Sequence, residues 1–181
     1  MKKLALTDDI LMKVEKPARY LGNEYNAVYK DPSSVDIRFA MCFPDVYEIG
    51  MSYLGIQIIY DMLNQREDVY CERLYSPWLD LDAIMRERLI PLLALDSLDR
   101  TTDHPFVIGG GPCAYNPEPL AEFFDIFYIG EGETVYNELM DCYKIWKEKG
   151  GSRKEFLIEA SKISGLYVPS LYEATYHEDG R

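Results

Sequence analysis

Apolar runs that suit β-strands alternate along this chain with segments whose apolar residues recur at helical spacing. Four runs are predicted as strands, at residues 35–43, 69–75, 106–108 and 125–129. The first is expected to end at Pro44 and the second is broken by Pro77, because proline donates no backbone N–H. The last two are short and continuously apolar, and each stops at a glycine, as strands of a buried parallel sheet do.

These strands are followed by helical stripes, which are sets of apolar residues spaced so that they share one face of a helix. The first stripe contains Met51, Leu54, Gly55, Ile58, Ile59 and Met62, the second Leu81, Ile84, Met85 and Arg88, and the third Val135, Leu139, Cys142, Tyr143 and Trp146. We expect the third helix to begin near Glu133. Ser152 and Glu155 form a capping box that opens a further helix over 156–163, with Gly165 as its C-terminal glycine.

This alternation predicts an α/β fold with a Rossmann-like, doubly wound, mainly parallel sheet and helices on both faces. We divide the chain into an N-terminal arm (residues 1–34), a Rossmann-like domain (residues 35–150) and a C-terminal helix with an extended segment (residues 151–181). In such folds ligands bind outside the carboxyl ends of the strands, so we expect a binding site to lie in the loops that follow the strands.

Charge excludes some partners. The chain has 181 residues, with 31 acidic against 19 basic side chains and a formal net charge of −12, which argues against nucleic acid and anionic membranes as partners. No apolar run reaches the length of a spanning helix and none follows Met1 as in a secretory signal, so we expect a cytoplasmic protein that is not bound to a membrane.

The N-terminal arm differs from the remainder in charge. Its first thirty residues carry six Lys or Arg against four acids, which leaves the other residues strongly acidic. A short helix is predicted at residues 8–15, stopped by Pro17, and the segment around Arg19 is expected to be a loop or a docking arm.

The turn after the first strand carries candidate site residues. Asp45, Tyr47, Gly50 and Ser52 lie in a polar, glycine-punctuated turn that opens a helix, where free N–H groups could hold an anionic or cofactor group. The alternative is structural, with Asp45 or Ser52 capping the helix.

Glycines mark two further strand ends. Gly109, Gly110 and Gly111 follow the third strand, and Gly130, Glu131 and Gly132 follow the fourth. Glycines there let a ligand approach the backbone, although a tight loop without a ligand would use them too. We predict neither a catalytic residue nor a metal site, because the two histidines (His104 and His177) and the four cysteines (Cys42, Cys71, Cys113 and Cys142) form no recognisable cluster. Cys113 is the thiol closest to the glycines, and reduced thiols are expected.

Several of these segments together resemble a known family. They are residues 16–24, 43–55, 72–73, 77–78, 109–113, 116–119 and 129–133. They are similar to the N-terminal part of cobalamin-binding-type radical S-adenosylmethionine (SAM) proteins, often described as uncharacterized Fe–S oxidoreductases. The resemblance implies an accessory domain that holds cobalamin against an iron–sulfur domain. The [4Fe–4S] cluster, S-adenosylmethionine and catalysis would belong to a radical SAM domain of the same full-length protein, outside this sequence.

The resemblance also implies which residues would contact cobalamin. Relatives in the wider superfamily carry Asp-x-His-x-x-Gly, whose imidazole lies beneath cobalt, whereas the same frame here has Tyr47 in place of histidine. A phenol is a poor neutral donor to cobalt, so the resemblance implies cobalamin bound without a protein axial ligand or a domain that has lost it. Gly109 to Gly111 match the glycines beside the nucleotide tail.

One strand–helix unit of about thirty residues is absent between residues 96 and 100, compared with the family. Either a stretch of the natural chain is absent from this sequence, or the protein has a shortened sheet and an incomplete pocket. Two alternatives to cofactor binding stay open. One is a docking module in which the glycines are structural, and the other is a flavin- or nucleotide-binding protein of flavodoxin type, which lacks a convincing phosphate loop.

Overall fold

The computed structural model describes residues 6–22, 24–90 and 104–173. The chain divides into two compact units, Met1–Ala94 (unit 1) and Leu95–Arg181 (unit 2). Each unit combines strands and helices, so the predicted mixed α/β class is confirmed.

Unit 1 is built on two parallel strands, flanked by helices. Its elements are α1 (Asp8–Leu11), a 3₁₀ turn (Pro17–Tyr20), β1 (Ile37–Val46), α2 (Tyr47–Ser52), α3 (Leu54–Gln65), β2 (Val69–Ser76) and α4 (Leu79–Glu87). β1 and β2 pair in register from Ile37 opposite Val69 to Phe43 opposite Tyr75. Because the strands are parallel, both end at the same edge, which we name the carboxyl edge of unit 1.

Strand β1 does not stop at Pro44, and this prediction was wrong. The pairing register shifts between Phe43 and Val46, so the ladder has a bulge at Pro44 and Asp45. A bulge leaves its extra residue unpaired, and the missing N–H of Pro44 therefore breaks no ladder hydrogen bond.

The first predicted helix is two helices. The chain breaks at Tyr53, whose backbone is extended (φ −85°, ψ 106°), and α3 begins at Leu54. The buried stripe is consequently rotated from the predicted one, since α3 buries Tyr60, Leu63 and Asn64 while Leu54 and Ile58 are exposed.

The N-terminal arm belongs to the core of unit 1. Ile10 and Val14 pack with Leu81 and Met85 of α4 in one buried cluster. Helix α1 ends at Leu11, earlier than predicted, but its apolar side contributes to that cluster as a short amphipathic helix should.

The arm also caps the C-terminal end of α3. The ammonium group of Lys30 donates hydrogen bonds to the carbonyl oxygens of Asn64 (2.8 Å), Arg66 and Val69 (2.7 Å). The last carbonyls of a helix have no intrahelical partner, so a cation there satisfies them and favours the helix dipole.

Unit 2 has a three-stranded sheet and two helices. Its elements are β3 (Ile108–Gly109), β4 (Ile126–Tyr128), α5 (Gly132–Lys149), α6 (Arg153–Ala160) and β5 (Leu166–Tyr167), with 3₁₀ turns at Pro112–Tyr115, Glu118–Leu120 and Pro169–Leu171. β3 and β4 are parallel, whereas β5 pairs with β4 in the antiparallel direction. The extended C-terminal segment is therefore only a short strand followed by a turn as far as residue 173.

Local signals explain both helices of unit 2. The capping box of Ser152 and Glu155 is confirmed at the start of α6. Helix α5 ends at Lys149, because the left-handed backbone of the following Gly150 (φ 66°) terminates the helix. Arg153 joins the start of α6 to the strand region, because it lies 2.8 Å from Asp125 and stacks on the Phe106 ring at 3.8 Å.

Loss of Lys30 is expected to destabilise unit 1. The Lys30→Met variant keeps the apolar stem but leaves three carbonyl groups without their cationic donor, at a cost of about 1.5–3 kcal/mol. Urea unfolding should show this loss, and Lys162→Met, which removes an exposed pair with Glu159, should change stability by less than about 0.5 kcal/mol. Equal effects of the two variants would contradict the capping role.

Candidate functional site

The first candidate site lies at the carboxyl edge of unit 1. Asp45 is in the bulge of β1, and Tyr47, Gly50 and Ser52 are all in α2. The structure therefore brings the four predicted residues of this unit into one short stretch at the edge where α/β folds bind ligands.

Three of these four residues have local structural roles. Asp45 Oδ1 accepts a hydrogen bond from the N–H of Val46 (2.7 Å), and Ser52 Oγ donates to the carbonyl of Glu48 (2.7 Å). Gly50 is buried, and a Cβ atom there would overlap the ring of Tyr75. The geometry thus favours the structural alternative at Asp45, Gly50 and Ser52.

Tyr47 is part of a polar network rather than a free donor. Its ring packs edge-on against Tyr75 with 5.8 Å between ring centres. Burial and a hydrogen bond with Glu24 raise the pKa of the Tyr47 phenol, which therefore stays protonated at neutral pH. A protonated phenol engaged by a carboxylate does not fit the position beneath a cobalt ion.

The network around Tyr47 contains residues that sequence reasoning missed. The side chain of Arg73, in β2, is only 6% exposed and lies 3.8 Å from Glu24 of the N-terminal arm. Its guanidinium also donates to Gln57 Oε1 (2.5 Å) and stacks over the Tyr60 ring at 4.0 Å. The sequence signal for Arg73 was a charged residue within a predicted strand. The spacing of residues along the sequence does not reveal which side chain such a residue pairs with.

A second pair joins the arm to α2. Arg19 Nε and Nη2 both lie 2.7 Å from Glu48 Oε1, and the Arg19 side chain is 10% exposed. The guanidinium also lies 4.9 Å from the centre of the Trp78 ring. The hydrogen bond from Arg19 lowers the pKa of Glu48, so this carboxylate is charged at neutral pH.

The second candidate site lies in unit 2, where two loops follow parallel strands. Gly109 ends β3 and is followed by Gly110 and Gly111, while Gly130, Glu131 and Gly132 lead from β4 into α5. Since β3 and β4 are parallel neighbours, their loops leave at the same edge, and we name these six residues the glycine rim.

The glycines of the rim are required for different reasons. A Cβ at Gly109 would lie 2.8–2.9 Å from the Phe127 ring, so this position is limited by packing. Gly111 (φ 90°) and Gly130 (φ 132°) have backbone conformations that other residues rarely adopt. A Cβ at Gly110 would make only ordinary van der Waals contacts, since the nearest atom, in Tyr128, would be 3.7 Å away.

Tyr128 lies beneath the rim with an unsatisfied hydroxyl group. The residue is 5% exposed, and its buried hydroxyl oxygen has no hydrogen-bond partner among the residues that the structure describes. Burial raises the pKa of this phenol, and the nearby carboxylates of Glu131 and Glu133 raise it further. A buried hydroxyl without a partner is uncommon and marks a position where a ligand or water could bond.

The ten predicted site residues therefore form two groups, one in each unit. His104 uses its carbonyl oxygen to accept from Arg153, and the thiols of Cys42, Cys71 and Cys142 are free. His177 lies outside the described residues. Within residues 6–22, 24–90 and 104–173, no three side chains of His, Cys, Asp or Glu are grouped so that they could hold a metal ion.

The sequence of this chain matches a known protein family. A family model described as the N-terminal region of radical SAM proteins matches residues 55–99 and 96–169, which is more than half of the chain. The chain therefore belongs to this family of radical SAM N-terminal domains.

Among curated proteins, an uncharacterized protein from Methanocaldococcus jannaschii is 28% identical over 158 residues, covering 76% of this chain and 36% of the relative. The chain thus spans about a third of the length of that relative. No solved structure matches the chain.

Both comparisons contain a discontinuity. The two family segments meet at residues 96–99, close to where the sequence predicts an absent strand–helix unit. The match with the relative covers 76% of this chain, which is about 138 of its 181 residues, but it extends over 158 aligned positions. About 20 of those positions therefore hold a residue of the relative and none of this chain. The absent unit stays a prediction, since residues 96–100 lie outside the described part of the chain.

In the described part of the chain, no helix has both the length and the apolar character needed to cross a bilayer.

Alanine substitutions at Gly109 and Gly110 distinguish a closely packed position of the glycine rim from one with ordinary contacts. Gly109→Ala should lower the unfolding free energy of unit 2 by about 1–3 kcal/mol, because the new methyl group forces Phe127 to shift. Gly110→Ala should be neutral or stabilising by up to about 1 kcal/mol, since alanine restricts the unfolded chain and meets no clash. Denaturant unfolding of both variants measures this difference, and a loss at Gly110 as large as at Gly109 would contradict it.

Proposed function

We propose that this chain is a non-catalytic accessory domain that docks, through the carboxyl edge of unit 1, on the radical SAM domain of the same full-length protein. Membership of the radical SAM N-terminal family supports the accessory role. The proposed partner supplies the [4Fe–4S] cluster, S-adenosylmethionine and the chemistry, and this chain supplies a surface.

The observation that carries the proposal is the contrast between polar and apolar side chains at this edge. Asp45, Tyr47 and Glu48 all have partners within unit 1. Large apolar side chains at the same edge are exposed, namely Ile49 and Tyr53 after β1, Leu54 at the start of α3, and Trp78 and Leu79 after β2. Exposed apolar groups gathered in this way are typical of a protein interface.

The apolar groups lie where docking can reach them. Leu79 is 76% exposed at the first residue of α4, directly after β2. Leu89 is 88% exposed just beyond the other end of α4, away from the carboxyl edge. The chain thus offers two similar leucines, one inside the proposed interface and one outside it.

We expect Leu79→Gln to weaken docking about tenfold or more, because burying a leucine contributes about 1.5–3 kcal/mol. Glutamine adds no charge, so the helix dipole does not complicate the comparison. The dissociation constant is measured by calorimetry, under anaerobic conditions, between this chain and the separately expressed remainder of the full-length protein.

The matched control for this prediction is Leu89→Gln, which should change the dissociation constant less than twofold. Absence of binding by the wild-type chain, or equal weakening by both substitutions, would contradict docking through the carboxyl edge.

A second candidate function is corrinoid binding at the glycine rim, which is favoured by the unsatisfied hydroxyl of Tyr128. The space beside Gly111 is open, and the Tyr128 hydroxyl, which lies 3.4 Å from where a Cβ of Gly130 would be, could donate a hydrogen bond to a polar group of cobalamin bound at the rim. When bound, cobalamin would supply cobalt-based radical or alkyl chemistry. The residues of unit 1 do not fit a lower axial ligand, so we assign only the glycine rim to this role.

A cobalamin titration tests this candidate. Gly110→Val should abolish retention by adding a branched side chain to the rim, and Tyr128→Phe should weaken it by about tenfold if the hydroxyl donates to the ligand. Tyr172→Phe, at an exposed tyrosine, is the matched control and should have no effect. Equilibrium dialysis with absorbance spectra measures retention, and a folded wild-type chain that retains no corrinoid would rule this candidate out.

A further inference from the structure

The N-terminal arm follows the carboxyl edge of unit 1, where it contacts α2, the loop after β2 and the first turn of α4, and it also contacts β2. The first contact is with α2, where Arg19 holds Glu48 through two nitrogens, each 2.7 Å from the same carboxylate oxygen. Lys16 adds a longer contact of 3.8 Å to Glu48. The arm therefore fixes the helix that directly follows β1.

The second contact is with the loop that follows β2. The N–H of Trp78 donates to the hydroxyl oxygen of Tyr20 (3.2 Å), and the N–H of Glu15 donates to Asp80 Oδ2 (2.7 Å). The Arg19 guanidinium covers the Trp78 ring, so one arginine contacts both loops of the edge. A cation over an indole ring is the favourable form of this contact.

The third contact is with Arg73, within β2. Glu24 lies 3.8 Å from Arg73 and forms a hydrogen bond with Tyr47, so a carboxylate of the arm is inserted between a buried cation and a phenol. Without the arm, Arg73 would keep only neutral partners at a site that is almost closed to water, and burying an ion without a counter-charge is unfavourable.

In α/β sheets this edge is the usual position of a ligand, which fills the crevice between the loops after neighbouring strands. We propose that residues 15–22 together with Glu24 are a strap that takes the place of a ligand in unit 1, with Arg19 and Glu24 supplying the charges that hold α2 and the Trp78 loop in a fixed relation. The strap makes this edge a preformed surface without a bound cofactor. The inference does not depend on which partner docks there.

Hydrogen exchange tests the strap in the intact chain. Arg19→Gln should raise the exchange rates of the amides in residues 15–22, 47–53 and 77–80 by about tenfold, because the two loops lose their common anchor. Glu48→Gln removes the other side of the same pair and should have a similar effect. The double variant should exchange no faster than the quicker single variant, since both remove one interaction.

A matched control uses the exposed pair of Arg86 and Asp82 in α4, whose nitrogen and oxygen are 2.8 Å apart. Arg86→Gln should leave exchange in all three segments unchanged. Arg19→Lys provides a milder variant that keeps the charge but loses the planar contact with Trp78, and an intermediate increase is expected. Unchanged exchange in both Arg19→Gln and Glu48→Gln, with circular dichroism showing folded chains, would overturn the proposal.

Discussion

The buried positive charge of Arg73 is the constraint on which the carboxyl edge of unit 1 depends. Its side chain, which lies within β2, is almost closed to solvent, and removing one partner of such a buried pair typically costs about 3–5 kcal/mol. Glu24 provides the counter-charge from a distant part of the chain. The N-terminal arm must therefore lie across this edge, and the contacts of Arg19 and Tyr20 follow the same path.

This arrangement favours a structural role for the candidate site residues of unit 1. Glu48 and Tyr47 have partners within unit 1, so the carboxylate and the phenol that might attract a cofactor are already satisfied, although Nη1 of Arg19 is buried with no hydrogen-bond partner among the described residues. What the edge still presents to solvent is apolar, with Trp78 and Leu79 among its exposed side chains. In unit 2 the buried hydroxyl of Tyr128 also has no partner among the described residues, and it lies 3.4 Å from where a Cβ of Gly130 would be, while the space beside Gly111 in the same rim is open.

Local patterns predicted the elements well and their long-range partners poorly. The capping box at Ser152 and the stripe through Leu81 and Met85 depend on neighbours in sequence, and both were confirmed. The continuation of β1 through Pro44 depends on a bulge in the pairing with β2, which periodicity does not encode. The role of Arg19 depends on Glu48, twenty-nine residues away, so the sequence indicated a docking arm without revealing what it contacts.

Hydrogen exchange in the full-length protein, compared with this chain alone, tests the docking account most directly. If the carboxyl edge of unit 1 meets the radical SAM domain, amides of residues 47–54 and 77–80 should exchange at least about tenfold more slowly in the full-length protein, while the end of α4 near Leu89 stays unchanged. Equal exchange at the carboxyl edge in the two proteins would contradict the account.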